Sequence, residues 1–121
     1  MKKSQALTKR AQYSLVYQQG KMWANGLIVV KALPNGLSLS RYGFSVTKKV
    51  GKAVQRNRLK RLLREITRLQ SIKPGWDIVF IVRSAAVTAD YHQLERAVTK
   101  LLDRAQLLAG GKYEAACSGS N

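Results

Sequence analysis

Acidic side chains are scarce in this chain. Six Asp and Glu stand against 22 Lys and Arg, and the 121 residues carry a formal net charge of +16. A metal-dependent nuclease needs several carboxylates converging on its ions. Glu65, Asp77, Asp90, Glu95, Asp103 and Glu114 are instead spread along the sequence, with no cluster visible. Histidine is scarcer still: His92 is alone, so a metal-free ribonuclease built on a histidine pair is excluded. His92 falls near the start of the last expected helix, where packing or capping is the reading. No Ser, His and Asp spacing suggests a triad. Cys117 is the one cysteine and lies in a polar tail, which excludes an internal disulfide and a cysteine metal cluster. No apolar run is long enough to span a bilayer. The start, MKKSQALTKR, is basic but has no apolar segment behind it, so the expected location is the cytoplasm. The chain is therefore read as having no catalytic and no metal-ligating residues of its own.

What it does have is a globular proportion of apolar residues, 45%, and a length suited to one domain with a modest core. The positive charge calls for a phosphate polymer or an anionic surface as partner. It is concentrated between Lys48 and Arg68, KKVGKAVQRNRLKRLLREITR, where Lys48, Lys49, Lys52, Arg56, Arg58, Lys60, Arg61, Arg64 and Arg68 face the single acid Glu65. Leu59, Leu62, Leu63, Ile66 and Leu69 recur at spacings of three and four, one apolar stripe for packing on a core. Arg56, Lys60 and Arg64 make one row on the remaining surface, and Asn57, Arg61 and Arg68 make another. Like charges so placed repel along a helix, and a polyanion would offset that. Arginine forks suit bidentate phosphate contact, and Asn57 can donate and accept at a base edge or a sugar hydroxyl. The alternative reading is a solvated cationic face.

The segment from Arg41 to Glu65, RYGFSVTKKVGKAVQRNRLKRLLRE, resembles the signature of the bacterial ribonuclease P protein family, whose hallmark is an Arg-Asn-Arg helix, here Arg56, Asn57 and Arg58. The similarity extends more weakly from about Leu7 to about Leu108.

Taken in order, residues 1–7 are expected to be a flexible basic arm. Thr8 is expected to cap a helix running to Gln19, with Gly20 as its terminator. Tyr13, Val16 and Tyr17 share one face of it. The two tyrosines either pack inward or offer flat rings to unpaired bases beside a basic groove. The resemblance favours the second, since in the family an aromatic pair at this position contacts the 5′ leader of precursor tRNA. Residues 21–25 read as a turn, residues 26–33 as a buried strand, and Pro34-Asn35-Gly36 as a second turn. In the strand over residues 39–46, Arg41, Gly43 and Ser45 alternate with Tyr42, Phe44 and Val46. Lys31 stands where many family members carry an aromatic on the first strand. Gly51 before a helix either lets the backbone approach a phosphate or serves turn geometry alone. The central helix is expected over residues 53–70, a third strand over 77–83 after the packing residue Trp76, and a final helix capped by Thr88 or Asp90. Its stripe of Tyr91, Leu94, Val98, Leu101, Leu102, Ala105 and Leu108 is expected to end at Gly110-Gly111. Residues 1–109 form one expected domain, and residues 110–121 an expected disordered tail.

The fold expected is α+β, in the order αβββαβα. The resemblance implies a four-stranded sheet packed by helices, a left-handed βαβ crossover against the usual rule, and likeness to the second domain of ribosomal protein S5. It also implies the protein subunit of ribonuclease P, binding the large catalytic RNA subunit and precursor tRNA. Mg²⁺, bound mainly by the RNA and not by the protein alone, would serve the hydrolysis that removes the leader. Lys48, Lys49, Lys52, Arg56, Asn57, Arg58, Lys60, Arg61, Arg64 and Arg68 would face the catalytic RNA. Tyr13, Tyr17, Phe44 and Val46 would line the leader cleft, with Lys31 at its edge. No membrane and no DNA are expected as partners. The alternative is a structural ribosomal or other nucleic-acid-binding protein that uses the same basic helix.

Overall fold

The computed structural model describes residues 6–108. The first helix, α1, spans Arg10–Gln19. Thr8, expected to cap it, lies one residue outside. The Gln12 side-chain oxygen reaches back instead and accepts from the N–H groups of Thr8 and Lys9, each at 3.2 Å, serving amides that a helix start leaves unpaired. The helix stops at Gly20 for a steric reason: a Cβ there would lie 2.5 Å from the carbonyl oxygen of Val16 and 2.9 Å from that of Ala32.

Residues 21–25, expected to be a turn, contain a strand, β1, Lys21–Ala24. It pairs antiparallel with β2, Ile28–Pro34. Its side chains are exposed or half-buried, and its apolar run, Met22-Trp23-Ala24, is too short and lacks the alternation that marks a strand. The third strand, β3, is Arg41–Ser45, and the fourth, β4, is Trp76–Val82. The sheet order is β1-β2-β4-β3, with β2 and β4 antiparallel and β3 and β4 parallel. Helix α2, Ala53–Arg68, joins the parallel pair. A 3-10 helix over Ser84–Thr88 precedes the last helix, α3, Tyr91–Arg104. The mixed α+β architecture is the expected one.

Alternation along the strands divides the sheet into two faces. Ile28, Val30, Ala32, Tyr42, Ile78, Phe80 and Val82 pack with Leu59, Leu63 and Ile66 of α2 and with Leu94, Val98, Leu101 and Leu102 of α3 in the main core. On the other face α1 sets Val16 against Val79, with Leu7, Tyr13, Leu33 and Ile81 around it. Leu7, expected in the flexible arm, is 5% exposed, and its N–H donates to the Tyr42 carbonyl at 2.8 Å. Ala6 bridges Tyr42 in parallel. The rest of the expected arm and the expected tail lie outside the described residues, as does the end expected at Gly110-Gly111.

Both long helices end earlier than their apolar patterns suggest. Leu69 follows the last residue of α2 and is 59% exposed, so it does not belong to the stripe. In α3 the Asp90 carboxylate accepts from the Gln93 N–H at 2.8 Å, and the Gln93 side chain accepts from the Asp90 N–H at 2.9 Å, a capping box. At its other end Gln106 takes a left-handed conformation, φ 58°. The N–H of Leu107 then donates to the Leu102 carbonyl at 2.9 Å, closing the helix as a Schellman motif. Leu107 turns inward and is fully buried; Leu108 bridges Ile72. Apolar character there comes from a chain folding back, not from further helix.

Among the described residues the buried side-chain polar atoms are satisfied with one exception. Asp77 takes two bonds from Arg41, Nε at 2.8 Å and Nη2 at 2.7 Å, and a third from the Asn35 amide at 2.9 Å. The Thr67 hydroxyl is the exception: Thr67 is 3% exposed, and its oxygen has no partner among the described residues. Burying an unbonded hydroxyl costs about 1–3 kcal/mol. Thr67→Val keeps the shape and removes the polar atom, so its unfolding free energy in denaturant titration is expected to rise by about 1 kcal/mol. A fall would mean that the hydroxyl has a partner.

Candidate nucleic-acid interface

The apolar stripe orients α2. Leu59, Leu63 and Ile66 are fully buried and Leu62 partly so, which turns the cationic rows outward. Lys48, Lys49, Lys52, Asn57, Arg61, Arg64 and Arg68 are exposed, while Arg56, Arg58 and Lys60 are half-buried. Two of the half-buried cations are tethered. Arg56 Nε donates to the Gly51 carbonyl at 3.2 Å, and Arg58 Nη2 to the Ala89 carbonyl at 3.1 Å, which pins α2 to its own entry loop and to the start of α3. Among the described residues only Arg68 of this set meets an acid, Glu65, at 2.5 Å. The other ion pair is the Arg41 and Asp77 pair. The positive face is thus almost unneutralised by the described residues.

At the helix entry, Gly51 does not present open backbone. A Cβ there would meet the Gln55 side-chain oxygen, and that oxygen accepts from the Lys52 N–H at 2.8 Å. The Gln55 cap thus occupies the space that a side chain at residue 51 would take.

The tyrosines of α1 have different surroundings. Tyr13 lies flat on β3, so close that a Cβ on Gly43 would be 2.5 Å from its hydroxyl oxygen. That hydroxyl donates to the Leu7 carbonyl at 3.2 Å. Burial above all, and then the neighbouring Tyr17, push the Tyr13 hydroxyl above the usual tyrosine value, against a lowering backbone hydrogen bond from Phe44. Tyr17 is 38% exposed, its ring centroid 6.4 Å from that of Tyr13. The Lys31 ammonium stands 5.4 Å from the centre of the Tyr17 ring and donates to the Tyr17 carbonyl at 3.2 Å. Lys31 thus gives a cation over an aromatic face at the edge of the expected cleft. Exposed Met22 is its cross-strand partner.

Phe44 and Val46 do not share that face. Phe44 stacks on Phe80 with centroids 5.5 Å apart, and Val46 is 8% exposed within the main core. The expectation that they line the cleft with the tyrosines is corrected for Val46, which strand alternation buries in the main core; Phe44 packs on that core and also borders the groove beside Tyr13. Gly43, between Tyr42 and Phe44, faces α1 because its missing side chain makes room for Tyr13. A glycine on a polar-looking strand face was the available signal.

A groove of about 230 Å³ at the outer edge of β3 joins these two regions. Ala6, Leu7, Tyr13, Tyr42, Gly43 and Phe44 line it together with Lys60 and Arg64 of α2. The exposed arginine row therefore leads around the sheet edge towards the aromatic pair. His92 is exposed, with its ring edge-on to Tyr91, and faces no carboxylate cluster among the described residues. No described helix is long and apolar enough to cross a membrane.

Comparison with known proteins places this geometry in a family. The family model described as Ribonuclease P matches residues 1–106. The ribonuclease P protein component of Dehalococcoides mccartyi strain CBDB1 is 51% identical over 109 residues, 90% of this chain and 91% of that protein. Its counterpart from Caldanaerobacter subterraneus is 45% identical over 103 residues, covering 84% of this chain and 89% of that one. Among solved structures, the Staphylococcus aureus RNase P protein superposes with a TM-score of 0.82 at 31% identity, covering 88% of this chain and 100% of that one. The Thermotoga maritima protein gives 0.76 at 35% identity, covering 87% and 98%. With its Arg-Asn-Arg helix facing outward from a four-stranded α+β core, the chain belongs to the ribonuclease P protein family.

Proposed function

We propose that this chain is the RNA-binding protein subunit of a cytoplasmic ribonuclease P, and that the large RNA subunit, not the protein, hydrolyses the phosphodiester bond that releases the 5′ leader of precursor tRNA. The observation that carries this reading is the face of α2, where exposed Asn57, Arg61, Arg64 and Arg68, continued by Lys48, Lys49 and Lys52, meet no acid among the described residues apart from Glu65 at Arg68. Phosphates of the catalytic RNA supply the missing negative charge, and arginine forks fix its orientation. The leader lies across the other face, where Tyr17 offers a ring for stacking and Lys31 a cation for the backbone. Tyr13 supports this surface from beneath. Holding a substrate in place is worth up to about 7–11 kcal/mol of barrier for well-oriented reactants, so a protein without reactive groups can still raise the rate.

The acids of the chain support this division. Glu65 is engaged by Arg68, Asp77 by Arg41, and Asp90 by the α3 amide it caps. No three His, Cys, Asp or Glu side chains converge among the described residues. These residues do not fit a Mg²⁺ cage, and in this reading the Mg²⁺ that hydrolysis requires is held mainly by RNA.

Reconstitution tests the proposal directly. The large RNA subunit with this chain is expected to cleave precursor tRNA at low Mg²⁺, and the chain alone to leave it intact; cleavage by the RNA-free chain would overturn the assignment. Arg61→Ala and Arg64→Ala, which remove exposed side chains, are expected to lower the slope of log affinity against log salt by about one per lost phosphate contact. An unchanged slope would place the RNA elsewhere. Tyr17→Leu is expected to weaken binding of leader-bearing precursor by about 1–3 kcal/mol per stacked base and to leave mature tRNA unaffected. Equal losses for both would rule out leader contact.

A further inference from the structure

The parallel pair β3 and β4 ends at Ser45 and Val82, and a pocket of about 390 Å³ opens directly beyond those carboxyl ends. Neither surface described above includes it, apart from Lys49 at its rim. Val50 and Val82, each 5% exposed, form an apolar floor. Lys49, Arg83, Thr47 and Ser84 stand around it, and no acid is among the lining residues. The walls are tied together by two long hydrogen bonds. Arg83 Nη1 donates to the Asn25 carbonyl and Ser84 Oγ to the Lys49 carbonyl, both at 3.4 Å. Gly26 closes one side with open space where a side chain would be.

The chemistry of this lining is specific in kind. Two cations and the Thr47 hydroxyl at a rim suit a phosphate group, which accepts from each of them. An apolar floor of this size suits a base or a ribose rather than a bare ion. The crevice beyond the carboxyl ends of parallel strands is also where open sheets hold nucleotides. We propose that this pocket is a mononucleotide subsite, with Lys49 and Arg83 on the phosphate, Thr47 as a hydroxyl donor, Ser84 holding the Lys49 loop in place, and the Val50 and Val82 floor beneath the nucleoside. The nucleotide comes either from an RNA strand or from the free pool; the recognition is the same.

Adenosine 5′-monophosphate titrated into the intact chain, followed by amide NMR shifts, tests this without the catalytic RNA and so independently of the function proposed above. Shifts are expected at residues 47–50 and 82–85, with tighter binding than inorganic phosphate. Arg83→Gln is expected to weaken the nucleotide at least tenfold while a thermal melt is unchanged. Should that variant misfold, Lys49→Gln on the exposed loop reads the same loss. Lys100→Gln, on the outer face of α3, is the control and should bind as the parent does. Displacement of the nucleotide by single-stranded RNA would identify the RNA chain as its source, and persistence alongside saturating RNA would identify a free nucleotide; both support the subsite. Shifts confined to α2 or Tyr17, equal affinity for inorganic phosphate, or undiminished binding in the variants would overturn it.

Discussion

One helix has to be apolar enough to hold the core and cationic enough to repel itself, and the fold resolves that conflict on α2. Like charges at helical spacing cost about 0.2–0.5 kcal/mol per pair, so the rows of α2 cost on the order of 1–2 kcal/mol. Burying one Leu or Ile side chain returns about 1.5–3 kcal/mol, and three stripe residues of α2 are fully buried. Packing therefore wins, and the helix stands without an acid for each cation. The winning term also fixes direction, because a stripe locked against β4 and α3 turns the arginines outward. A positive face held open in this way is complementary to a polyanion and to little else.

The second surface depends on a different kind of contact. Tyr13 can lie on β3 only because residue 43 is glycine, and its hydroxyl is committed to the Leu7 carbonyl. That side chain is a support, tying α1 and the incoming chain to the sheet edge. Tyr17, one turn on, keeps an exposed ring under the Lys31 ammonium. Two tyrosines equivalent in the sequence thus divide into a fixed platform and an available face. The same edge of β3 carries the groove shared with Lys60 and Arg64, so a strand passing from the arginine rows to the aromatic ring has a path lined by cations and then by rings.

The tethering of polar groups follows one plan. Arg41 and Asp77 are spent on each other within the sheet edge, Arg58 is spent on Ala89, and Asp90 on the α3 start. These four side chains are held by structure, and on the solvent face of α2 only Arg68 meets an acid among the described residues. Such a distribution agrees with the division proposed above, in which the protein orients RNA and the RNA subunit cleaves it.

Much of this was legible before any coordinates. The α2 stripe, the cationic rows and the mixed α+β class follow from residue type and spacing, because periodicity of three to four and strand alternation report which atoms must leave water. Strand β1 was not legible, since three apolar residues without alternation, Met22-Trp23-Ala24, do not distinguish a short edge strand from a turn. The ends of α2 and α3 were misjudged because Leu69, Leu107 and Leu108 are apolar for reasons other than helical burial: one is exposed past a helix end, and the others fold back beyond the left-handed Gln106. Only tertiary structure decided which side of β3 meets the tyrosines. Alternation says that Gly43 and Phe44 point to opposite faces, but which face receives α1 depends on Tyr13 finding room above a residue without a side chain, and that is settled by packing between elements distant in the chain.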